Sequence, residues 1–185
     1  GAEPISAEQL HQFAECFRQV NFDDKTFMPC YGLAENALAV SFSDEACGVV
    51  VNEVDRDILE YQGKAVAPGA ETRAVSTFVN CGKALPEHGI EIRNEADIPV
   101  AERVVGHICI SGPSLMSGYF GDQVSQDEIA ATGWLDTGDL GYLLDGYLYV
   151  TGRIKDLIII RGRNIWPQDI EYIAEQEPEI HSGDA

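Results

Sequence analysis

Residues 152–167, Gly-Arg-Ile-Lys-Asp-Leu-Ile-Ile-Ile-Arg-Gly-Arg-Asn-Ile-Trp-Pro, constrain the chain more than any other stretch. The unbroken apolar run 157–160 has strand length and no polar alternation, so it predicts an element buried in a core. Gly162 marks a turn after it. Pro167 suits the first turn of a helix, which Ile170, Ile173 and Ala174 continue on one face. A structural strand has no use for Gly152, Arg153 and Lys155 immediately upstream. Cations and a glycine beside a strand are what a hinge or an anion-binding segment requires. The competing reading is two solvated cations shielding Asp156 and Glu171, a contribution of little energy.

The chain has 185 residues, the size of one domain or of a domain and part of a second. With 45% hydrophobic residues it can bury a real core. There is no signal peptide, and no apolar run approaches the ~20 residues of a membrane span. A soluble, cytoplasmic protein is expected. Cys16, Cys30, Cys47, Cys81 and Cys109 are dispersed, odd in number and without a Cys-x-x-Cys pair, so reduced thiols are expected rather than a disulfide framework or a zinc site. The four histidines are equally scattered and form no metal triad. A net charge of −19, from 12 basic and 31 acidic residues, argues against a nucleic-acid partner. An anionic ligand would have to be met by local cations, backbone N–H groups and a metal ion.

Along the chain, Ser6-Ala7-Glu8-Gln9 is a capping box, and Leu10, Phe13, Ala14 and Phe17 follow at helical spacing. A helix over residues 6–20 is predicted. Residues 26–30 are read as a short strand feeding the Tyr31-Gly32 turn, the place where open α/β sheets hold ligands. Short strands are predicted over 37–42, 48–54, 75–80, 90–93, 107–111, 142–144 and 147–150, with Asp145-Gly146 as a two-residue hairpin turn. Residues 61–74 are read as an exposed loop. The fold class is therefore mixed α/β: a helix and strand, a strand-rich distorted β-barrel piece, then the start of a new unit. A lone helix after a hinge cannot bury its apolar face, and no initiating methionine is present, so an internal piece of a longer chain is expected.

Four motifs now converge. Gly152-Arg153-Ile154-Lys155-Asp156, continuing through Asn164, Pro167 and Glu171, closely resembles the hinge motif of the adenylate-forming superfamily, which includes acyl-CoA synthetases, peptide-synthetase adenylation domains and luciferases. Tyr31-Gly32-Leu33-Ala34-Glu35, Gly106-His107-Ile108-Cys109-Ile110-Ser111-Gly112-Pro113 and Gly133-Trp134-Leu135-Asp136-Thr137-Gly138-Asp139 match three more of its motifs, in the family's order. The resemblance implies that residues 1–152 close the large adenylating domain and that 153–185 form the hinge and the beginning of the small lid domain. It implies ATP (leaving as AMP) and Mg²⁺ as cofactors.

The resemblance also assigns roles. Tyr31 matches the aromatic residue that stacks on adenine, although at a strand end it is equally a core tyrosine. Gly32, Leu33 and Ala34 complete the nucleotide-facing turn. Glu35 matches the magnesium ligand, a hard-oxygen role, where the ordinary alternative is a surface glutamate. Gly1-Ala2-Glu3-Pro4 resembles the backbone lining the other side of adenine, where a plain turn explains the residues as well. Asp139 matches the acceptor of both ribose hydroxyls; a polar turn between strands is the alternative. Arg153 matches the residue reaching ribose or phosphate, and Lys155 the hinge pivot. Trp134 and Leu135 are assigned to packing, and residues 106–119 to shaping the barrel.

Within the superfamily the chain is most similar to the fatty acyl-AMP ligases. Ala34 stands where most relatives carry Thr, and Val79-Asn80-Cys81-Gly82-Lys83-Ala84-Leu85-Pro86 and Asp156-Leu157-Ile158-Ile159-Ile160-Arg161-Gly162-Arg163-Asn164 resemble that branch. The implied reaction activates a long-chain fatty acid as its adenylate, releases pyrophosphate, and transfers the acyl group to the phosphopantetheine of an acyl carrier protein. The phosphate-gripping loop would precede Gly1 and the catalytic lysine would follow Ala185, so this stretch alone is expected to be inactive. A long-chain fatty acyl-CoA ligase and a non-catalytic nucleotide-binding or scaffold module are the alternatives.

Overall fold

The computed structural model describes residues 5–174, except the side chains of Val124, Ser125, Gln168, Asp169 and Tyr172. The Gly1-Ala2-Glu3-Pro4 segment and residues 175–185 lie outside the described residues. In chain order the elements are α1 (Ala7–Phe17), β1 (Cys30–Tyr31), β2 (Ser41–Phe42), β3 (Val51–Asp55), α2 (Arg56–Gln62), β4 (Val75–Val79), β5 (Lys83–Ala84), β6 (Gly89–Arg93), β7 (Gly106–Ser111), α3 (Gln123–Thr132), β8 (Leu135–Leu144), β9 (Tyr147–Arg153), β10 (Ile158–Ile160), β11 (Arg163–Ile165) and α4 (Pro167–Ala174). The mixed α/β class is as expected. The strands form four sheets, β1-β2-β5, β3-β4, β6-β7-β8-β9 and β10-β11, all antiparallel. Among the described residues they do not close into one barrel. A few hydrogen bonds lace them together instead: the Cys81 N–H donates to the Leu148 carbonyl and the Leu148 N–H to that of Gly82, at 2.8 and 2.9 Å.

The Ser6 hydroxyl caps α1 by accepting from the Gln9 N–H, as the capping box predicts. The helix stops at Phe17 and a short 3₁₀ turn carries it to Val20. Its apolar face gathers Phe13, Phe17, Phe22 and Phe27 into one ring cluster, yet Phe13 and Phe17 stay nearly half exposed. The strand expected over 26–30 shrinks to Cys30–Tyr31, because Asp23 caps a 3₁₀ turn at Asp24–Thr26 and Pro29 has no N–H to donate. The strand expected over 37–42 keeps only Ser41–Phe42, since Ala37 and Leu38 take positive φ of 49° and 90°. By contrast β8 runs ten residues, far beyond 142–144. Asp145 and Gly146 turn with φ of 54° and 77°, the two positive values of a type I′ hairpin.

Two clusters make the core. Tyr31, Val40, Cys81, Ile92, Ile108, Ile110 and Leu148 pack between β1 and the β6–β9 sheet. Val54, Leu59, Ala65, Tyr142 and Tyr149 join β3 and α2 to the β8–β9 hairpin. In the second, the rings of Tyr142 and Tyr149 stack at 5.1 Å, and the Tyr142 hydroxyl donates to the Asn52 side-chain oxygen at 2.9 Å. One expectation fails here: Ile158, Ile159 and Ile160 are exposed, not buried. The β10–β11 ribbon has two strands and no layer over that face among the described residues, and a two-stranded ribbon cannot bury itself. Of its neighbours, Trp166 is the one that is buried.

All described cysteines are free thiols; Cys16 and Cys47 are exposed, while Cys81 and Cys109 are buried. Desolvation pushes the thiols of Cys81 and Cys109 up to about 12. A group whose pKa is higher folded than unfolded stabilises fully below its unfolded value and loses that contribution as pH rises. A thiol reagent at pH 8 should therefore label Cys16 and Cys47 in the native chain and reach Cys81 and Cys109 only on unfolding. Urea stability should fall as pH climbs above about 9; native labelling of Cys81 at the rate of Cys16 would contradict this packing.

Candidate functional site

The turn that follows β1 is built on a close backbone approach. A Cβ on Gly32 would lie 1.6 Å from the Leu38 carbonyl oxygen, so only glycine lets the chain fold back there. The Leu33 carbonyl accepts from the N–H groups of Asn36 and Leu38 at 3.1 and 3.0 Å, and Val40 N–H returns to the Tyr31 carbonyl at 3.0 Å. The result is a tight loop with a 3₁₀ turn at Ala34–Asn36. Leu33 packs against the core, Ala34 is exposed, and Glu35 projects half-exposed from the turn.

Opposite this loop, Asp139 sits on β8 between two register shifts. Against β7 the pairing runs Cys109↔Asp136 and then His107↔Leu140, so Thr137 and Gly138 are extra residues. Gly138 takes φ of 75°. The Thr137 hydroxyl donates to the Ile108 carbonyl at 2.9 Å and accepts from the Asp139 N–H at 3.2 Å, and the Gly138 N–H donates to Asp136 at 2.9 Å. The Asp-Thr-Gly-Asp string is thus a bulge inside a strand, not a turn between strands. Against β9 the pairing runs Gly141↔Val150 and then Leu140↔Gly152, leaving Thr151 extra. Without that insertion Gly152 would oppose Asp139; with it, Arg153 does. Bulges re-aim side chains in this way beside functional sites.

Three of the predicted residues meet as a consequence. The Tyr31 hydroxyl donates to Asp139 Oδ2 at 2.7 Å, and Arg153 Nε lies 3.3 Å from Asp139 Oδ1. Each carboxylate oxygen of Asp139 thus faces a different donor, one neutral and one cationic. Tyr31 is only 9% exposed; burial first, then the Asp139 charge, drive its hydroxyl far above the ordinary tyrosine range, so it stays a protonated donor. Its ring is largely covered by the core. Arg153, its side chain 55% exposed, pairs with Asp139 and not with Asp156 or Glu171 among the described residues. Lys155 stands exposed on the 3₁₀ turn Ile154–Asp156 directly after β9, with no ion pair among the described residues.

Glu35 is reached from the other side. Its Oε1 accepts the Tyr119 hydroxyl at 2.7 Å, and its backbone carbonyl accepts the Met116 N–H at 2.7 Å. No group of three His, Cys, Asp or Glu side chains that could cage a metal ion exists among the described residues. A single carboxylate with one oxygen uncommitted among the described residues nevertheless fits Mg²⁺, which takes one or two carboxylates together with phosphate oxygens and water. When bound, such an ion would neutralise charge on phosphate oxygens.

Sequence reasoning missed Tyr119, assigned to barrel shaping, and gave Thr137 no role of its own. It also missed α2, whose signals were present: Asp55 caps it by accepting from the Ile58 N–H at 3.0 Å, and Gly63 ends it. That helix supplies Glu60, 3% exposed, which accepts from Arg163 Nε on β11, and Tyr61, whose ring faces the same guanidinium at 5.7 Å. No pattern in the chain pairs residues so far apart.

The model of the AMP-binding enzyme family matches residues 1–120, and the chain belongs to that adenylate-forming family. Within it the chain is most like the fatty acyl-AMP ligases. A chain from a structural and functional study of fatty acyl-adenylate ligases from E. coli and L. pneumophila is 98% identical with a TM-score of 0.99, matching all of this chain and 33% of that one. A Caulobacter vibrioides protein provisionally named acyl-CoA synthetase is 44% identical over 187 residues, which take in 100% of this chain and 32% of that protein. The medium-chain-fatty-acid–[acyl-carrier-protein] ligase JamA of Moorena producens is 36% identical over 193 residues, 98% of this chain and 33% of JamA. The chain spans about a third of the length of the curated relatives it matches.

Two substitutions test the local architecture. Tyr31→Phe keeps the ring and removes one hydrogen bond, so it should lower the unfolding free energy by about 1 kcal/mol. Gly32→Ala drives a methyl into a backbone carbonyl and should cost about 3 kcal/mol or more. Urea unfolding of both measures the difference; equal losses would mean that the loop does not depend on the close approach.

Proposed function

We propose that this chain is the nucleotide-facing part of a fatty acyl-AMP ligase. The parent enzyme joins a fatty acid, long-chain by the branch resemblance, to the α-phosphate of ATP, releases pyrophosphate, and passes the acyl group to an acyl carrier protein. Residues 1–152 close the large domain, with the short sheets as its strand-rich barrel-like subdomain. Residues 153–185 are the hinge and the first part of the lid. The observation that carries this reading is the Tyr31–Asp139–Arg153 row, in which β1 meets the β8–β9 hairpin, 108 residues on from Tyr31 to Asp139, in one polar line.

Adenylation makes no demand for a protein nucleophile; it demands positioning and neutralisation of charge growing on phosphate oxygens. In our reading Asp139 accepts the two ribose hydroxyls, a task a carboxylate performs with both oxygens at once. Tyr31 holds that carboxylate in place and is the aromatic residue that stacks on adenine. Gly32, Leu33 and Ala34 present backbone along the nucleotide, and the resemblance assigns Gly1, Ala2, Glu3 and Pro4, outside the described residues, to the adenine as well. Arg153 bears on ribose or phosphate, Glu35 on Mg²⁺, and Lys155 is the pivot between the adenylating and transferring arrangements. JamA, by its name, acts on an acyl carrier protein, which supports that acceptor; the acyl-CoA synthetase name of the Caulobacter relative favours CoA as the second reading.

In a protein of the relatives' full length, Asp139→Ala should weaken binding of an acyl-sulfamoyl-adenosine by about 10- to 100-fold, since one partly buried acceptor pair is lost. Isothermal titration measures it, and unchanged affinity would remove Asp139 from the site. Lys155→Pro should retain ATP–pyrophosphate exchange while slowing acyl transfer; equal loss of both steps would argue against a pivot there. Product analysis with CoA and with a phosphopantetheinylated carrier, over acids of eight to about eighteen carbons, separates the two acceptors and fixes the chain length.

A further inference from the structure

We infer that Tyr119 is a positioning residue for Glu35, fixing which oxygen of that carboxylate is presented to a divalent cation; this rests on the proposed role of Glu35. Glu35 stands on a single 3₁₀ turn whose following residues, Ala37 and Leu38, are both at positive φ. Such a turn sets the Cα position but leaves three side-chain torsions loose. The chain segment before α3 supplies what the turn lacks. Met116 grips the Glu35 backbone and Tyr119 its carboxylate, both at 2.7 Å, from residues only three apart.

That segment is itself held. The Tyr119 carbonyl accepts from Gln126 Nε2 on α3 at 2.8 Å and from the Asp122 N–H at 3.1 Å. Gly118 packs so closely on Gln126 that an added Cβ would lie 2.3 Å from its Cγ, and Leu115 packs against the core. Tyr119 thus reaches Glu35 from a braced position although its own side is half exposed. The chemistry of the partner matters as much as its place. A lysine or arginine at this distance would neutralise the carboxylate and compete with a cation. A phenol donates a hydrogen bond while leaving the full negative charge and Oε2 available. An orienting but non-neutralising donor is what a hard-cation ligand requires.

The test uses the full-length protein and manganese as the probe. Binding of Mn²⁺·ATP is followed by water-proton relaxation, and adenylation is assayed across Mg²⁺ concentrations. Tyr119→Phe should raise the half-saturating metal concentration about three- to tenfold in both measurements, with the KM for fatty acid and the melting temperature unchanged. Glu35→Gln should raise it further, and the double variant should be no worse than Glu35→Gln alone, since the two residues act as one unit. If Glu35→Gln shifts the metal dependence and Tyr119→Phe does not, the positioning role is overturned while the role of Glu35 stands. If neither shifts it, the role of Glu35 falls and takes this one with it. A Tyr119→Phe variant that loses melting temperature and fatty-acid KM together, with no change in metal concentration, would make Tyr119 a packing residue and overturn the inference.

Discussion

The two register shifts that flank Asp139 are the constraint on which the rest of the site depends. A regular antiparallel strand presents alternate residues to alternate faces, so one added residue moves everything beyond it to the other side. Thr137 and Gly138 are absorbed against β7, and Thr151 against β9. The first insertion is held by the Thr137 hydroxyl, which works as both donor and acceptor. The second places Arg153 rather than Gly152 opposite Asp139. The polar row at the end of β1 follows from these two irregularities, and the core beneath it holds Tyr31 at the height where its hydroxyl meets Oδ2.

A chain with net charge −19 makes an unwelcoming surface for a polyphosphate. In the proposed site two cations answer that locally: Arg153 ends β9 and Lys155 follows on the next turn, where the chain leaves the β6–β9 sheet. Beyond them the β10–β11 ribbon is not free of the body. Glu60, buried on α2, pairs with Arg163 on β11. A buried carboxylate left without its partner is costly, so separating the ribbon from α2 must break this contact or replace it. Among the described residues the ribbon is tied to α2 by this pair and by the Tyr61 ring that faces Arg163, and Trp166 beyond it is buried.

Much of this was legible in the sequence where local chemistry decides structure. The Ser6 cap, the Asp145-Gly146 turn, Pro167 at the start of α4 and the β6, β7 and β9 strands all follow from short-range rules. The convergence of Tyr31, Asp139 and Arg153 came from motif resemblance, because no local rule pairs a strand end with residues more than a hundred positions away. The failures share a cause. The isoleucines of β10 look like core since composition cannot show whether a second layer covers them. Residues 136–139 can pass for a turn since a bulge uses the same Asp, Thr and Gly. Tyr119 was passed over because a lone tyrosine after a Gly-Pro segment carries no pattern; its function lies wholly in where the fold delivers it.

The most direct measurement is a crystal structure of the full-length protein with a non-hydrolysable acyl-adenylate. The account expects both ribose hydroxyls on the carboxylate of Asp139, Arg153 on the same side of the strand, and the Thr151 bulge intact. A nucleoside seated elsewhere, with Asp139 touching only Tyr31 and Arg153, would contradict it.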